Sequence, residues 1–213
     1  MFQTVLFDLD GTLVDSRADL VAAVNVAVKA VGKSELTDEQ VLKNVGNGMR
    51  RLVSESIGPS DETTLQTAID AFRNYYGDHC VDKTTLYPGV MDVLIGLKGR
   101  YRTGVVTNKP FGFSTKILNS LGIGGLIGTV VGGDSLAERK PHPAPVKKAL
   151  ADLNASADSA LLVGDGAQDL EAGKAAGLMT CLVAYGYGSD LAGETPAPDF
   201  LIEHFLELKE ILK

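Results

Sequence analysis

Five short apolar runs recur along the chain: Thr4–Phe7, Thr103–Thr107, Gly128–Val131, Ala160–Val163 and Thr180–Val183. Each has the length of a strand, and most are rich in β-branched residues. Amphipathic stretches of helical spacing lie between them, as over Phe113–Leu121, Ala144–Leu153 and Asp169–Ala176. Glycines such as Gly122 and Gly177 stand where those helices should stop. Strands alternating with helices form βαβ units, which pair in parallel and cover both faces of the sheet. The pattern predicts an α/β fold with a Rossmann-like, doubly wound parallel sheet as its core.

Residues 15–85 break the alternation and contain no convincing strand. Leu20, Val24 and Val28, with Val21, recur at helical spacing, and Gly32 ends that helix. Thr37 opens a capping box, with Gln40 placed to reach back to it. Gly46-Asn47-Gly48 and Gly58-Pro59-Ser60 then interrupt the chain before two further helices, the second running on toward Tyr76. About four helices are thus inserted after the first strand. The expected division is a core of residues 1–14 and 86–213 and an all-helical cap domain of residues 15–85.

The chain has 213 residues, enough for one large domain or one domain with an insertion. Its net charge of −7 argues against a nucleic-acid or anionic-membrane surface, and means that an anionic substrate needs local cations. No stretch approaches the ~20 apolar residues of a membrane span. No signal-like segment precedes the first strand, so a cytoplasmic location is expected. Cys80 and Cys181 lie far apart and read as reduced thiols.

The first strand ends in Asp8-Leu9-Asp10-Gly11-Thr12. Residues two apart on a strand project to one side, so Asp8 and Asp10 are expected to approach each other at the carboxyl end of a buried strand. That end of a parallel sheet is where ligands bind. Two adjacent carboxylates repel unless a cation intervenes. One reading is structural, with Asp10-Gly11 a turn and Asp8 a cap. A calcium loop fails, because its glycine belongs at the sixth position and here it is fourth. The third reading is a Mg²⁺ site in which one carboxylate is also a nucleophile.

The other strand ends weigh on this choice. The second core strand runs into Thr107-Asn108-Lys109, and the loop after the third carries Arg139-Lys140-Pro141-His142-Pro143. Its prolines stiffen the loop and make Lys140 a fixed cation. The fourth ends in Gly164-Asp165-Gly166-Ala167-Gln168-Asp169, two acids around a glycine turn at a helix start. Each group alone has an ordinary explanation as a polar strand end, a solvated lysine or an N-cap. Together they place acids, a hydroxyl, an amide and a lysine at one edge.

This arrangement resembles the haloacid dehalogenase-like superfamily of phosphotransferases over the whole chain. The matching motifs are Asp8-x-Asp10-Gly11-Thr12, Thr107-Asn108, Lys140-Pro141 and Gly164-Asp165-x-x-x-Asp169. Within it, Val45-Gly46-Asn47-Gly48 and Tyr87-Pro88-Gly89-Val90 are similar to the phosphoglycolate phosphatase group. One departure is Gly166, where many relatives carry a hydroxyl residue.

The resemblance implies a phosphomonoester hydrolase, monomeric or homodimeric, that acts on a small substrate. Asp8 is then the nucleophile that forms an aspartyl-phosphate, and Asp10 the acid and base. Thr107, the Asn108 main-chain amide and Lys140 hold the phosphoryl oxygens. Asp8, the Asp10 carbonyl and Asp165 ligate Mg²⁺, with Asp169 beside the metal or orienting Lys140. The Gly46-Asn47-Gly48 turn and Arg50 are candidates for recognising a substrate carboxylate. Lys109 adds to the positive field or lies on the surface. His79, His142 and His204 share no metal-ligand spacing, and Tyr75 and Tyr76 read as cap packing. Alternatives are a phosphatase for pyrophosphate, sugar phosphates or nucleotides, a sugar-phosphate mutase that needs a bisphosphate primer, and a non-catalytic phosphoester-binding regulator. A dehalogenase is disfavoured by the acid at position 10.

Overall fold

The computed structural model describes residues 1–188 and 196–213. The chain enters on β1 (Thr4–Phe7), turns through β2 (Val14–Asp15) and then runs through α1 (Arg17–Ala30), α2 (Asp38–Leu42), α3 (Met49–Ile57) and α4 (Glu62–His79). It returns on β3 (Thr85–Leu86) and α5 (Val90–Leu97). The sequence continues as β4 (Arg102–Val106), α6 (Phe111–Ser120), β5 (Thr129–Val131), α7 (Ala144–Asp152), β6 (Ala160–Gly164), α8 (Ala167–Ala175), β7 (Met179–Val183), β8 (Phe200–Ile202) and α9 (Leu208–Ile211). The strands β5-β4-β1-β6-β7-β8 form one six-stranded sheet in that order, and every pairing is parallel.

Strand alternation divides the interior into two cores. Val5, Phe7, Val105, Leu161 and Val163 face one side, with Val93 and Leu94 of α5, Ile117 and Leu118 of α6, and Phe205. Leu6, Val106, Val131 and Leu162 face the other, against Val146, Ala149 and Leu150 of α7 and Ala172 of α8. β1 is fully buried because it lies at the centre of the sheet with helices on both faces. The chain order reverses at β1, with β4 on one side and β6 on the other. A crevice therefore opens at their carboxyl ends. Phe7 pairs with both Val105 and Val163, so Asp8, Thr107 and Asp165 leave the sheet within a residue of one another.

The helical insertion joins the first of these cores. Leu20, Val24 and Val28 are buried as their spacing predicts, and α1 packs along α4. The Thr37 capping box closes as expected, with Gln40 N–H donating to Thr37 and the Gln40 side chain accepting from Thr37 N–H. Three features escape the sequence pattern: α5, the edge strand β8, and the two-residue antiparallel pair β2–β3. That pair ties the two ends of the insertion together.

A buried carboxylate reinforces this neck. Asp19, on α1, accepts from Lys83 N–H at 3.0 Å and from Thr84 N–H and Oγ1 at 2.8 and 2.7 Å. Asp19 and Thr84 are each 4% exposed, so losing the carboxylate would leave the Thr84 donors buried without a partner. Asp19→Ala should destabilise the protein by about 3 kcal/mol in urea denaturation. A loss below about 0.5 kcal/mol, the range of an ordinary surface substitution, would remove Asp19 as the clamp.

Candidate active site

The acids at the strand ends converge. Carboxylate oxygens of Asp8, Asp165 and Asp169 all lie within 4.8 Å of one another, and all three residues are buried. Lys140 Nζ reaches into this group, 2.6 Å from Asp169 Oδ1 and 2.9 Å from Asp8 Oδ1. The contact with Asp8 is an ion pair by distance but lacks hydrogen-bond geometry, leaving Asp8 Oδ1 buried without a directed donor.

Glycines make room for this density of charge. A Cβ on Gly11 would lie 2.2 Å from Asp165 Oδ2, at a φ of 80° that already favours glycine. A Cβ on Gly164 would lie 2.2 Å from Asp169 Cγ. Asp169 Oδ2 accepts from Gly166 N–H, so the start of α8 aims this carboxylate back into the site. At the departure noted above, a Cβ on Gly166 would meet the flexible end of Gln168 at 2.9 Å.

Asp10 behaves differently from its expected pairing with Asp8. Its carboxylate stands outside the triple cluster. Oδ1 accepts from Ser16 Oγ at 2.5 Å, and Lys109 Nζ donates to Oδ1 and Oδ2 at 2.8 and 2.9 Å. Lys109 is 7% exposed, which excludes the surface alternative. Its ammonium also sits 4.7 Å from the centre of the Tyr76 ring. Asp10 lies past the end of β1, in the turn to β2, so the period of two no longer governs its side chain.

Thr107 is buried, with Oγ1 accepting from Lys109 N–H. The Asn108 side chain is a hub: Nδ2 donates to Lys140 O and Gly46 O, and Oδ1 accepts from Lys140 N–H. It joins the lysine loop to the helical insertion. Asn47 Oδ1 accepts from Gln168 Nε2, so the Gly46-Asn47-Gly48 turn is docked on the core. Arg50 does not line the cavity at Asp8 and Asp10; it borders a neighbouring one with Met49, Asn108 and Phe113. It is half exposed and paired with Glu62 at 2.7 Å, away from the acids.

Sequence reasoning missed Tyr187 and Gly188. Their N–H groups donate to Asp165 Oδ2 at 2.7 and 3.3 Å, and the Tyr187 hydroxyl accepts from Ser16 N–H. The available signal was Tyr185-Gly186-Tyr187-Gly188, a glycine-spaced segment just past the last predicted strand. Gly186 is required there, because its Cβ would fall 2.1 Å from that of Asp165.

A small cavity of about 50 Å³ adjoins the acids, between the sheet edge and the helical insertion. Asp8, Asp10, Thr107 and Lys109 form its polar end; Leu52, Phe72, Tyr76 and Phe113 are among its apolar walls. Gly46 and Gly48 line it, and none of the three histidines does. Tyr76 is therefore a wall of the cavity as well as cap packing, stacked on Phe72.

The fold and this buried cluster define an α/β protein whose acidic site lies at the carboxyl edge of a parallel sheet. The haloacid dehalogenase-like hydrolase family model matches residues 5–183, and the chain belongs to that family. It is 37% identical over 221 residues to a phosphoglycolate phosphatase of Colwellia psychrerythraea, covering 99% of this chain and 97% of that protein. A phosphoglycolate phosphatase of Nitrosococcus oceani is 35% identical over 216 residues, with 99% and 96% covered. The crystal structure of a predicted phosphoglycolate phosphatase from Haemophilus somnus superposes with a TM-score of 0.94 at 32% identity, over 100% of this chain and 98% of that one. No helix among the described residues is long and apolar enough to cross a membrane.

Burial sets the electrostatics. It pushes the Asp8 carboxyl up to about 6 against the pull of Lys140, and Asp165 up to about 8, where Asp8 and Asp169 add repulsion. Burial alone would lower Lys140; the charges of Asp169 and Asp8 outweigh it and hold Lys140 firmly protonated. Acids raised in the folded state bind more protons folded than unfolded, so without metal stability is lost as pH rises through the raised values. In EDTA, unfolding free energy should fall as pH rises from about 4 to about 8, and Asp165→Asn should flatten that slope. A metal-free wild type that gains stability over this range would contradict the assignment.

Proposed function

We propose that the chain is a Mg²⁺-dependent phosphoglycolate phosphatase, which converts 2-phosphoglycolate and water to glycolate and phosphate. Residues 15–85 serve as its cap over a core of residues 1–14 and 86–213. The observation that carries the reading is the meeting of Asp8, Asp165 and Asp169 around Lys140 at the sheet edge. The names of the relatives support the substrate.

The donor set fits a hard divalent cation. Three buried carboxylates against one ammonium leave two negative charges, and the buried Asp8 Oδ1 has no directed donor. Oxygen donors of this kind suit Mg²⁺. Asp8 and Asp165 would hold it, with the Asp10 carbonyl completing the protein ligands and Asp169 alongside. When bound, Mg²⁺ neutralises charge on the phosphoryl oxygens.

Phosphoryl transfer depends on positioning and charge neutralisation more than on acid strength. Asp8 attacks phosphorus through a carboxylate oxygen, and the bond from phosphorus to the glycolate oxygen breaks. Asp10 gives that leaving oxygen its proton, and later takes one from the water that cleaves the aspartyl-phosphate. Phosphate departs and Asp8 is restored. Lys140, Thr107 Oγ1 and the Asn108 N–H hold the phosphoryl oxygens as charge spreads over them.

Phosphate release should be fastest with 2-phosphoglycolate in a panel that includes pyrophosphate, sugar phosphates, nucleoside monophosphates and an aryl phosphate. A clear preference for another ester would replace the substrate, and dependence on a bisphosphate primer would indicate a mutase. Asp8→Asn should abolish release while the fold persists; near-wild-type release by the folded variant would end the covalent mechanism. Millimolar Mg²⁺ should also raise the melting temperature of the metal-free wild type, since it binds only the folded site. Asp165→Asn should lose most of that rise. An equal rise in the variant would remove Asp165 from the ligands.

A further inference from the structure

Among the described residues, Lys109 is the cation that lines the partly apolar cavity under Tyr76 and Phe72, while Lys140 lines the smaller one at the acids. Its ammonium is buried, with Asp10 on one side and the face of Tyr76 on the other. An ammonium carries three donors, and among the described residues Asp10 is its only acceptor. Tyr76 supplies a second unsatisfied group in the same cavity. Its hydroxyl is buried and has no hydrogen-bond partner among the described residues. A buried hydroxyl without an acceptor costs about 1–3 kcal/mol, so it favours a ligand that brings one. The remaining walls are largely apolar, which strengthens any charge pairing inside. Arg50, by contrast, is held outside by Glu62.

We propose that Lys109, with the hydroxyl of Tyr76, receives the carboxylate at the far end of the substrate's leaving group. The proposal rests on the phosphoglycolate reading above and makes Lys109 the specificity residue in place of Arg50. One ammonium bridging two carboxylates is an arrangement this site already uses, in Lys140 between Asp8 and Asp169. Lys109 joins a carboxylate leaving group to Asp10, the residue that exchanges a proton with the leaving oxygen. Lys109 holds both oxygens of Asp10 at rest and Ser16 also holds Oδ1, so a shift of Lys109 toward the substrate carboxylate frees Oδ2 for that exchange. A neutral leaving group offers Lys109 no such partner.

The test compares two esters of the same length on each enzyme preparation: 2-phosphoglycolate and 2-hydroxyethyl phosphate, which replaces the carboxylate with a hydroxymethyl group. Wild type should prefer phosphoglycolate in kcat/KM. Lys109→Met should reduce that preference about tenfold or more, Tyr76→Phe should reduce it less, and Lys109→Arg should retain part of it. If Lys109→Met turns over neither ester, the ratio of their dissociation constants is measured by calorimetry in an Asp8→Asn background, where the same reduction is expected. Equal losses on both esters would show that Lys109 only positions Asp10, and would overturn the proposal while leaving the phosphoglycolate reading standing. A wild type without preference for phosphoglycolate would overturn both, with the fault in the substrate reading.

Discussion

The buried ammonium of Lys140, held between Asp8 and Asp169, is the interaction on which the site depends. Without it, three carboxylates within 4.8 Å of one another would repel in a setting that water barely reaches. Removing one partner of such a buried pair typically costs about 3–5 kcal/mol, so the lysine is a condition of folding. Its placement is correspondingly over-determined. Asn108 grips the main chain of Lys140 through both N–H and carbonyl, and the same amide reaches Gly46 in the helical insertion. The residue that fixes the cation thereby also docks the cap.

One ammonium is too little charge for three carboxylates, and the deficit is the physical case for a divalent cation. Asp165 carries most of it, for among the described residues no lysine pairs with it. Its partners are the N–H groups of Tyr187 and Gly188 and, at 3.5 Å, the hydroxyl of Thr12. Asp10 is handled separately, by Lys109 and Ser16. The site thus keeps two populations of carboxylate apart, one gathered where a metal fits and one tied to a lysine in the substrate cavity. That separation suits the two roles proposed for Asp8 and Asp10, attack on phosphorus and proton exchange with the leaving oxygen.

The sheet and its strand ends were legible because they rest on local patterns. Apolar runs such as Thr4–Phe7 and Ala160–Val163 mark strands buried on both faces, and the acids that follow them stand out against that background. The inserted helices were legible for the same reason, through the spacing of Leu20, Val24 and Val28 and the box of Thr37 and Gln40. What was hidden depends on contacts between residues far apart in the chain. Nothing near Asp19 announces that it will accept from Lys83 and Thr84. Lys109 looks like any polar residue after a strand until Asp10 and Tyr76 close over it. The edge strand β8 is only the three residues Phe200-Leu201-Ile202, too short for a strand pattern to stand out, and its Leu201 is 61% exposed.

The central claim is that Asp8 becomes covalently phosphorylated during turnover. Acid quenching of the enzyme in the steady state with phosphoglycolate and Mg²⁺, followed by peptide mass spectrometry, tests it directly. The account predicts one added phosphoryl group on the peptide that contains Asp8, labile to hydroxylamine as an acyl phosphate is, and absent from Asp8→Asn. A phosphoryl group found on another residue, or product formed in rapid-quench single turnovers with no phosphoryl group ever trapped on Asp8, would contradict it.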